Sequence, residues 1–260
     1  AFAPQEPVFL PVTSDDDGPR PDALPTGRDA RFLYLLPSFQ NPSGRCLGEA
    51  RRQALAEAAA ARGLPLVEDD PYGELWYDAP PPPALAARWP EGCVYLGSFS
   101  KVLAPGLRLG YLVAPPTLMP KLLHAKQAAD LHSPSLNQRV VHRLVADGLF
   151  ETHLPALRAR YRTQREAMDA ALRQHLPPGC VWQTPPGGMF FWVRLPVGTD
   201  ALALLPHAMA RGVAFVPGAA FNAQPTASSE WARLSFVTAS PADIERGVRA
   251  LAQAWADTCR

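Results

Sequence analysis

Lys101 is the residue most suited to covalent chemistry. Only three lysines occur, at 101, 121 and 126, against 22 arginines. Lys121 and Lys126 lie in a polar helical stretch and read as surface. Lys101 follows the apolar run Val94–Leu96 through Ser98-Phe99-Ser100. An amine that is partly buried among cations has a depressed pKa and attacks carbonyls. Seven residues on, Arg108 sits in Pro-Gly-Leu-Arg-Leu-Gly (105–110). Its guanidinium fork suits a phosphate, and the flanking glycines allow close backbone approach.

Two more apolar runs end in polar groups. Phe32–Leu36 leads into Gln40-Asn41-Pro42, and Leu64–Val67 into Glu68-Asp69-Asp70-Pro71-Tyr72. Ligands of open α/β sheets bind at the carboxyl ends of the strands. An acid, an amide, a phenol, two hydroxyls and an amine would meet at one edge there. Such a cluster can also be a satisfied structural network. An amine beside a phosphate site is what a pyridoxal 5′-phosphate cofactor requires.

These groups need a scaffold. Strands are expected at Val8–Val12, 32–36, 64–67, 94–96 and Leu109–Val113, with an Ala-rich helix over 48–62 stopped by Gly63. Apolar strands separated by a helix argue for a parallel sheet covered on both faces. Beyond Pro115 the pattern changes. Helices are expected over 118–147 and 151–175, strands over 181–184 and 189–195, a helix over 201–211, strands over 213–216 and 232–237, and a last helix from Pro241. The fold class is α/β: a mostly parallel large domain over 1–150 and a smaller C-terminal α+β domain over 151–260.

Other features read as structure. Asp15-Asp16-Asp17-Gly18 lacks the alternation of a calcium loop and reads as a turn. Pro80–Pro83 makes a stiff loop. Arg158, Arg162 and Arg165 share one helical face, which reads as solvated. A net charge of +1 gives no electrostatic case for nucleic acid. No apolar stretch reaches 18 residues, so no membrane span is expected. Cys46, Cys93, Cys180 and Cys259 are scattered, as for thiols in a reducing compartment. With Ala1–Gln5 lacking a basic leader, the expected location is the cytoplasm.

The order Pro-Ser-Phe-Gln-Asn-Pro-Ser-Gly (37–44), Glu-Asp-Asp-Pro-Tyr (68–72), Ser-Phe-Ser-Lys (98–101), Pro-Gly-Leu-Arg-Leu-Gly (105–110) and Arg-Leu-Ser-Phe (233–236) resembles class I/II aminotransferases of fold type I. The 2-aminoadipate, kynurenine and aromatic group is the nearest branch. Gly-Gly-Met-Phe (187–190) and Val-Ala-Phe-Val-Pro-Gly (213–218) resemble its small domain. The resemblance implies pyridoxal phosphate held covalently by Lys101, whose freed amine then moves the substrate Cα proton. It implies Asp69 against the pyridine nitrogen, Asn41 and Tyr72 on the ring O3′, and Ser98, Ser100 and Arg108 on the phosphate. Arg233 would take the substrate carboxylate. Transamination between an amino acid and a 2-oxo acid, in a homodimer, follows from the same resemblance. Whole members carry further N-terminal elements, including an arm, a glycine/serine phosphate loop and a ring-stacking aromatic. The large domain is therefore expected to be incomplete here.

Three rival readings stand beside this one. Ser98-x-x-Lys101 matches the SxxK of serine β-lactamases, but no Lys-Thr-Gly follows and Pro105-Gly106 stand where a helix should run. MocR-type regulators use an aminotransferase-like domain as a sensor; Asn41 and Pro71-Tyr72 favour an enzyme over that. An inactive remnant is the third.

Overall fold

The computed structural model describes residues 6–224, 226 and 228–258. Cys259 and the first residues, Ala1–Gln5, lie outside the described residues. The first elements are β1 (Ser14–Asp15) and β2 (Gly18–Pro19), an antiparallel hairpin. The acidic run is its turn, as expected: the Asp17 N–H donates to Asp15 Oδ1 at 2.9 Å. Arg51 grips the same Asp15 through both carboxylate oxygens. The strand expected over Val8–Val12 does not form. Residues 8–11 run as exposed coil and Val12 packs partly against the α1 cluster, with no strand beside them among the described residues, and β propensity without a pairing partner makes no sheet.

The central sheet has the order β3 (Leu33–Leu35), β4 (Leu66–Asp70), β5 (Cys93–Ser98), β6 (Gly110–Val113). The first three are parallel and β6 is antiparallel to β5. Helix α1 (Glu49–Ala61) packs Leu55, Ala56 and Ala59 against Leu35, Leu66 and Cys93. It ends at Gly63, whose φ of +60° suits glycine. The short α2 (Leu85–Arg88) follows the proline loop and buries Leu85 in the same cluster. Only this face is covered. On the other, Tyr34 and Leu112 are 40% and 41% exposed, and every residue of β6 is exposed. The expectation of cover on both faces therefore fails in this chain.

The single helix expected over 118–147 is two: α3 (Met119–Asp130) and α4 (Ser135–Ala146). The break has a local cause: Leu131 has φ +58°, and Pro134 disfavours helix at Ser133. Helix α5 (Leu149–His175) spans two clusters. Its Leu154 and Leu157 join Phe39, Tyr72, Leu75, Val102 and Phe190 beneath the sheet's carboxyl edge. Its Met168, Ala171 and Leu172 join the C-terminal core. That core is built from β7 (Phe190–Arg194), α6 (Ala201–Ala210), β8 (Val216–Pro217), β9 (Trp231–Ser235) and α7 (Pro241–Thr258), with antiparallel strand order β7-β9-β8. The strand expected over 181–184 shrinks to one bridge, Val181 to Arg194, and that over 213–216 to the two residues of β8.

The arginine face of α5 is not solvated. Arg165 is 8% exposed and donates to Asp78 Oδ2 at 2.7 Å and to the Pro185 carbonyl at 3.2 Å. Arg158 lies 4.1 Å over the Trp76 ring and donates to Glu74. Arg162 alone of the three is exposed. Helical spacing puts them on one face; the loop 74–78 covers most of it.

Candidate active site

Parallel pairing brings the ends of β3, β4 and β5 to one edge. Asp69 pairs with Leu96 and Asp70 with Gly97, so Ser98, Ser100 and Lys101 leave β5 just past the acids. Alternation sends the neighbouring acids to opposite faces. Asp70 turns toward the α1 side and caps the following turn, accepting from the Gly73 N–H at 2.8 Å and the Tyr95 hydroxyl at 3.1 Å. Asp69 turns toward the open side, where the Tyr34 hydroxyl donates to its Oδ2. Burial pushes the Asp70 carboxyl above the usual aspartate range.

Lys101 is half-buried and, among the described residues, has no hydrogen bond or ion pair. Lys121 and Lys126 are exposed, as expected. Ser98 Oγ accepts from the Ser100 N–H at 3.1 Å, so its own proton remains free to donate elsewhere. Arg108 is drawn less closely into the cluster. It is exposed, has φ +51°, and donates to the Pro105 carbonyl at 3.2 Å. Tyr72 is buried and packs edge-on to Phe190 at 6.0 Å between ring centres. Burial raises its pKa, and the Arg233 charge opposes that rise.

Arg233, on β9, reaches across to Asn41: Nη1 donates to Asn41 Oδ1 at 2.7 Å. The guanidinium lies 4.1 Å over the Phe190 ring and 5.1 Å from that of Phe221. Its Nε is buried and, among the described residues, has no hydrogen-bond partner. Burial lowers its pKa, yet a guanidinium stays charged at neutral pH. Asn41 itself precedes a cis peptide to Pro42 in the loop after β3.

Two supports went unread in the sequence. Arg52, 1% exposed, donates to the carbonyls of Pro37 and Leu47 and to Ser38 Oγ, each at 3.0 Å. It thereby ties both ends of the Asn41 loop to α1, with the buried Glu68 carboxylate 3.7 Å away. An arginine among the buried positions of an Ala-rich helix was the available signal. Tyr34 is the other, hidden within a run read as wholly apolar.

Known proteins resemble this chain in sequence and fold. A 2-aminoadipate transaminase of Thermus thermophilus is 44% identical over 98% of this chain and 65% of its own length. Aromatic-amino-acid aminotransferase 1 of Thermococcus litoralis is 38% identical over 97% of this chain and 63% of its own. The chain thus spans less than two thirds of these curated relatives. The solved α-aminoadipate aminotransferase LysN of Thermus thermophilus, complexed with N-(5′-phosphopyridoxyl)-L-leucine, matches with a TM-score of 0.92 and 42% identity over 99% of this chain and 68% of that one. More distant relatives, at 32% identity, include helix-turn-helix regulators of Bacillus subtilis, of which the chain covers about half. The architecture is that of pyridoxal-phosphate fold type I.

The donor set fits pyridoxal phosphate: an amine for the aldehyde carbon, a carboxylate for the ring nitrogen, and hydroxyls with a guanidinium for the phosphate. With the family model for class I and II aminotransferases matching residues 23–251 as well, the chain belongs to that pyridoxal-phosphate-dependent family.

Proposed function

We propose that this chain carries most of the catalytic machinery of a transaminase that moves an amino group between an amino acid and a 2-oxo acid. The donors proposed are 2-aminoadipate, aromatic or branched-chain amino acids. The observation that carries this reading is the meeting of Asp69, Lys101 and the Asn41–Arg233 pair at one sheet edge. When bound, pyridoxal phosphate supplies the ring that accepts electrons from the substrate. The residues do the rest. Asp69 holds the ring nitrogen protonated. Asn41 and Tyr72 direct the ring O3′. Ser98, Ser100 and Arg108 hold the phosphate. Arg233 orients the substrate by its carboxylate, using the Nε that has no hydrogen-bond partner among the described residues. Lys101 Nζ moves the proton at the substrate Cα.

Residues 1–150 form the cofactor-binding domain in this reading and 151–260 the smaller domain. The whole protein works as a homodimer in the cytoplasm, on small molecules and not on nucleic acid. No helix among the described residues is long and apolar enough to cross a membrane. The sensor reading is weaker, because the two thermophile transaminases, at 44% and 38% identity, are more similar than the regulators at 32%, and because Asn41 and Tyr72 are both present.

The test is borohydride reduction with pyridoxal phosphate followed by peptide mapping. Label at Lys101 is expected. Label at Lys121 or Lys126 instead rejects the assignment. A stable Lys101 adduct without turnover in a complemented, full-length context favours the sensor or an inactive remnant.

A further inference from the structure

We infer that Tyr34 is a positioning residue for Asp69, holding one carboxylate oxygen so that the other faces the cofactor's ring nitrogen. This deepens the reading above and rests on Asp69 having that role. The geometry begins with register. Tyr34 on β3 pairs with Val67 on β4, and paired residues of parallel strands share a face. Asp69 lies two residues further along β4, on that same face. An aromatic side chain spans such a diagonal. The Tyr34 hydroxyl donates to Asp69 Oδ2, a charge-assisted bond between two neighbouring strands.

Asp70, the other acid at this edge, is consumed by the structure through Gly73 and Tyr95. Asp69 is not. Among the described residues, nothing but Tyr34 donates to it, so Oδ1 is left for a ligand. A carboxylate fixed through one oxygen cannot swing, and its second oxygen keeps one direction. A lone surface ion would have no such constraint. The Tyr34 phenol is held well above its ordinary pKa by burial first and by the Asp69 bond second. It thus stays a donor throughout the working pH range.

Two measurements on the 260-residue chain test this. In the first, 3-fluorotyrosine is incorporated, which brings phenol ionisation to milder pH, and the Tyr34 fluorine signal is assigned with Tyr34→Phe. Asp69→Asn should make Tyr34 ionise about tenfold more readily, a fall of about one pH unit. An unchanged Tyr34 titration overturns the proposal. In the second, pyridoxal phosphate labelled with 15N in the ring is added. Tyr34→Phe should move the ring-nitrogen signal toward its unprotonated position while Lys101 is still trapped by borohydride. A signal that stays at the wild-type position also overturns the proposal. Loss of packing alone would not move it, because phenylalanine keeps the ring. Should Lys101 take no label even in the unaltered chain, the cofactor reading falls, and the fluorine titration still decides the Tyr34–Asp69 contact.

Discussion

Arg233 Nη1 and Asn41 Oδ1 meet at 2.7 Å across 192 positions of sequence. The bond joins the antiparallel C-terminal sheet to the loop after β3, so the sides proposed to bind substrate and cofactor share one contact. It also commits one nitrogen of the guanidinium, while Nε has no hydrogen-bond partner among the described residues. Arg233→Lys keeps a positive charge but loses the planar fork and the stacking on Phe190. We expect KM for the amino acid to rise roughly 10- to 100-fold, in line with the loss of one charge-assisted hydrogen bond. Steady-state kinetics in a complemented, full-length context would read this. An unchanged KM removes Arg233 from substrate binding.

Asp69→Asn tests the opposite end of the cluster. The amide is nearly isosteric and can still accept from Tyr34, so the fold should survive with little change in thermal unfolding. Without an ionised group the ring nitrogen loses its proton, and the electron sink weakens. Proton transfer at the substrate Cα should slow by orders of magnitude, seen as lost exchange of the α-hydrogen with solvent deuterium. Exchange at the unaltered rate would reject the role.

The strand ends that carry Asp69, Ser98 and Lys101 were legible because an apolar run followed by clustered polar residues marks a buried strand leaving a sheet. Where the reading failed, the missing information was three-dimensional. The spacing of Arg158, Arg162 and Arg165 gives a helix face, but only the fold brings loop 74–78 onto it. Val8–Val12 has strand composition and no strand to pair with. Tyr34 looked like one more apolar residue, since its value lies at the tip of the side chain and depends on a diagonal neighbour 35 residues away. The break near Leu131 could have been read from Pro134.

Arg52 and Glu68 form a fully buried pair, 1% and 0% exposed. Removing the cation strands the acid and frees both ends of the Asn41 loop. We expect Arg52→Met to cost about 3–5 kcal/mol. The effect should depend on pH. Burial already holds Glu68 above the usual glutamate range, and the Arg52 charge opposes that rise. A raised carboxyl pKa means the folded state binds the proton more tightly. Stability from this group is therefore fullest below about pH 4.3, the unfolded value, and is lost as pH rises through the folded one. Without Arg52 that loss deepens. Thermal unfolding of the variant and its parent should differ less at pH 5 than at pH 8; a constant gap would contradict the account.

Gly187 tests the seat of the Asn41 loop from below. A Cβ there would stand 2.5 Å from the Phe39 ring and 2.6 Å from the Leu75 carbonyl oxygen. Phe39 lies two residues before Asn41, so any displacement of the ring moves the amide. Gly187→Ala should destabilise by about 1–3 kcal/mol through overpacking. Adding Phe39→Leu should restore only part of this, because the backbone oxygen remains. Full rescue, or no loss in the single variant, would show that the ring and the carbonyl are not what limit the position.

The open face of the sheet leads to the last expectation. Tyr34 and Leu112 on that face, together with Tyr111 and Val113 of β6, are 40–58% exposed, and α3 has no buried residue. An exposed strand at a sheet edge is a template for pairing with another chain. The apolar side chains around it add a driving force proportional to the area they can bury. The proposed phosphate donor Arg108 is exposed and bonded to its own loop at Pro105. The 260-residue chain alone should therefore self-associate as its concentration rises and release pyridoxal phosphate on dialysis. Supplying the part of a close relative that this chain does not span should reverse both. Sedimentation velocity and cofactor absorbance after dialysis read the two effects. A monodisperse chain that keeps its cofactor and turns over 2-aminoadipate unaided would show that these exposed surfaces need no further partner.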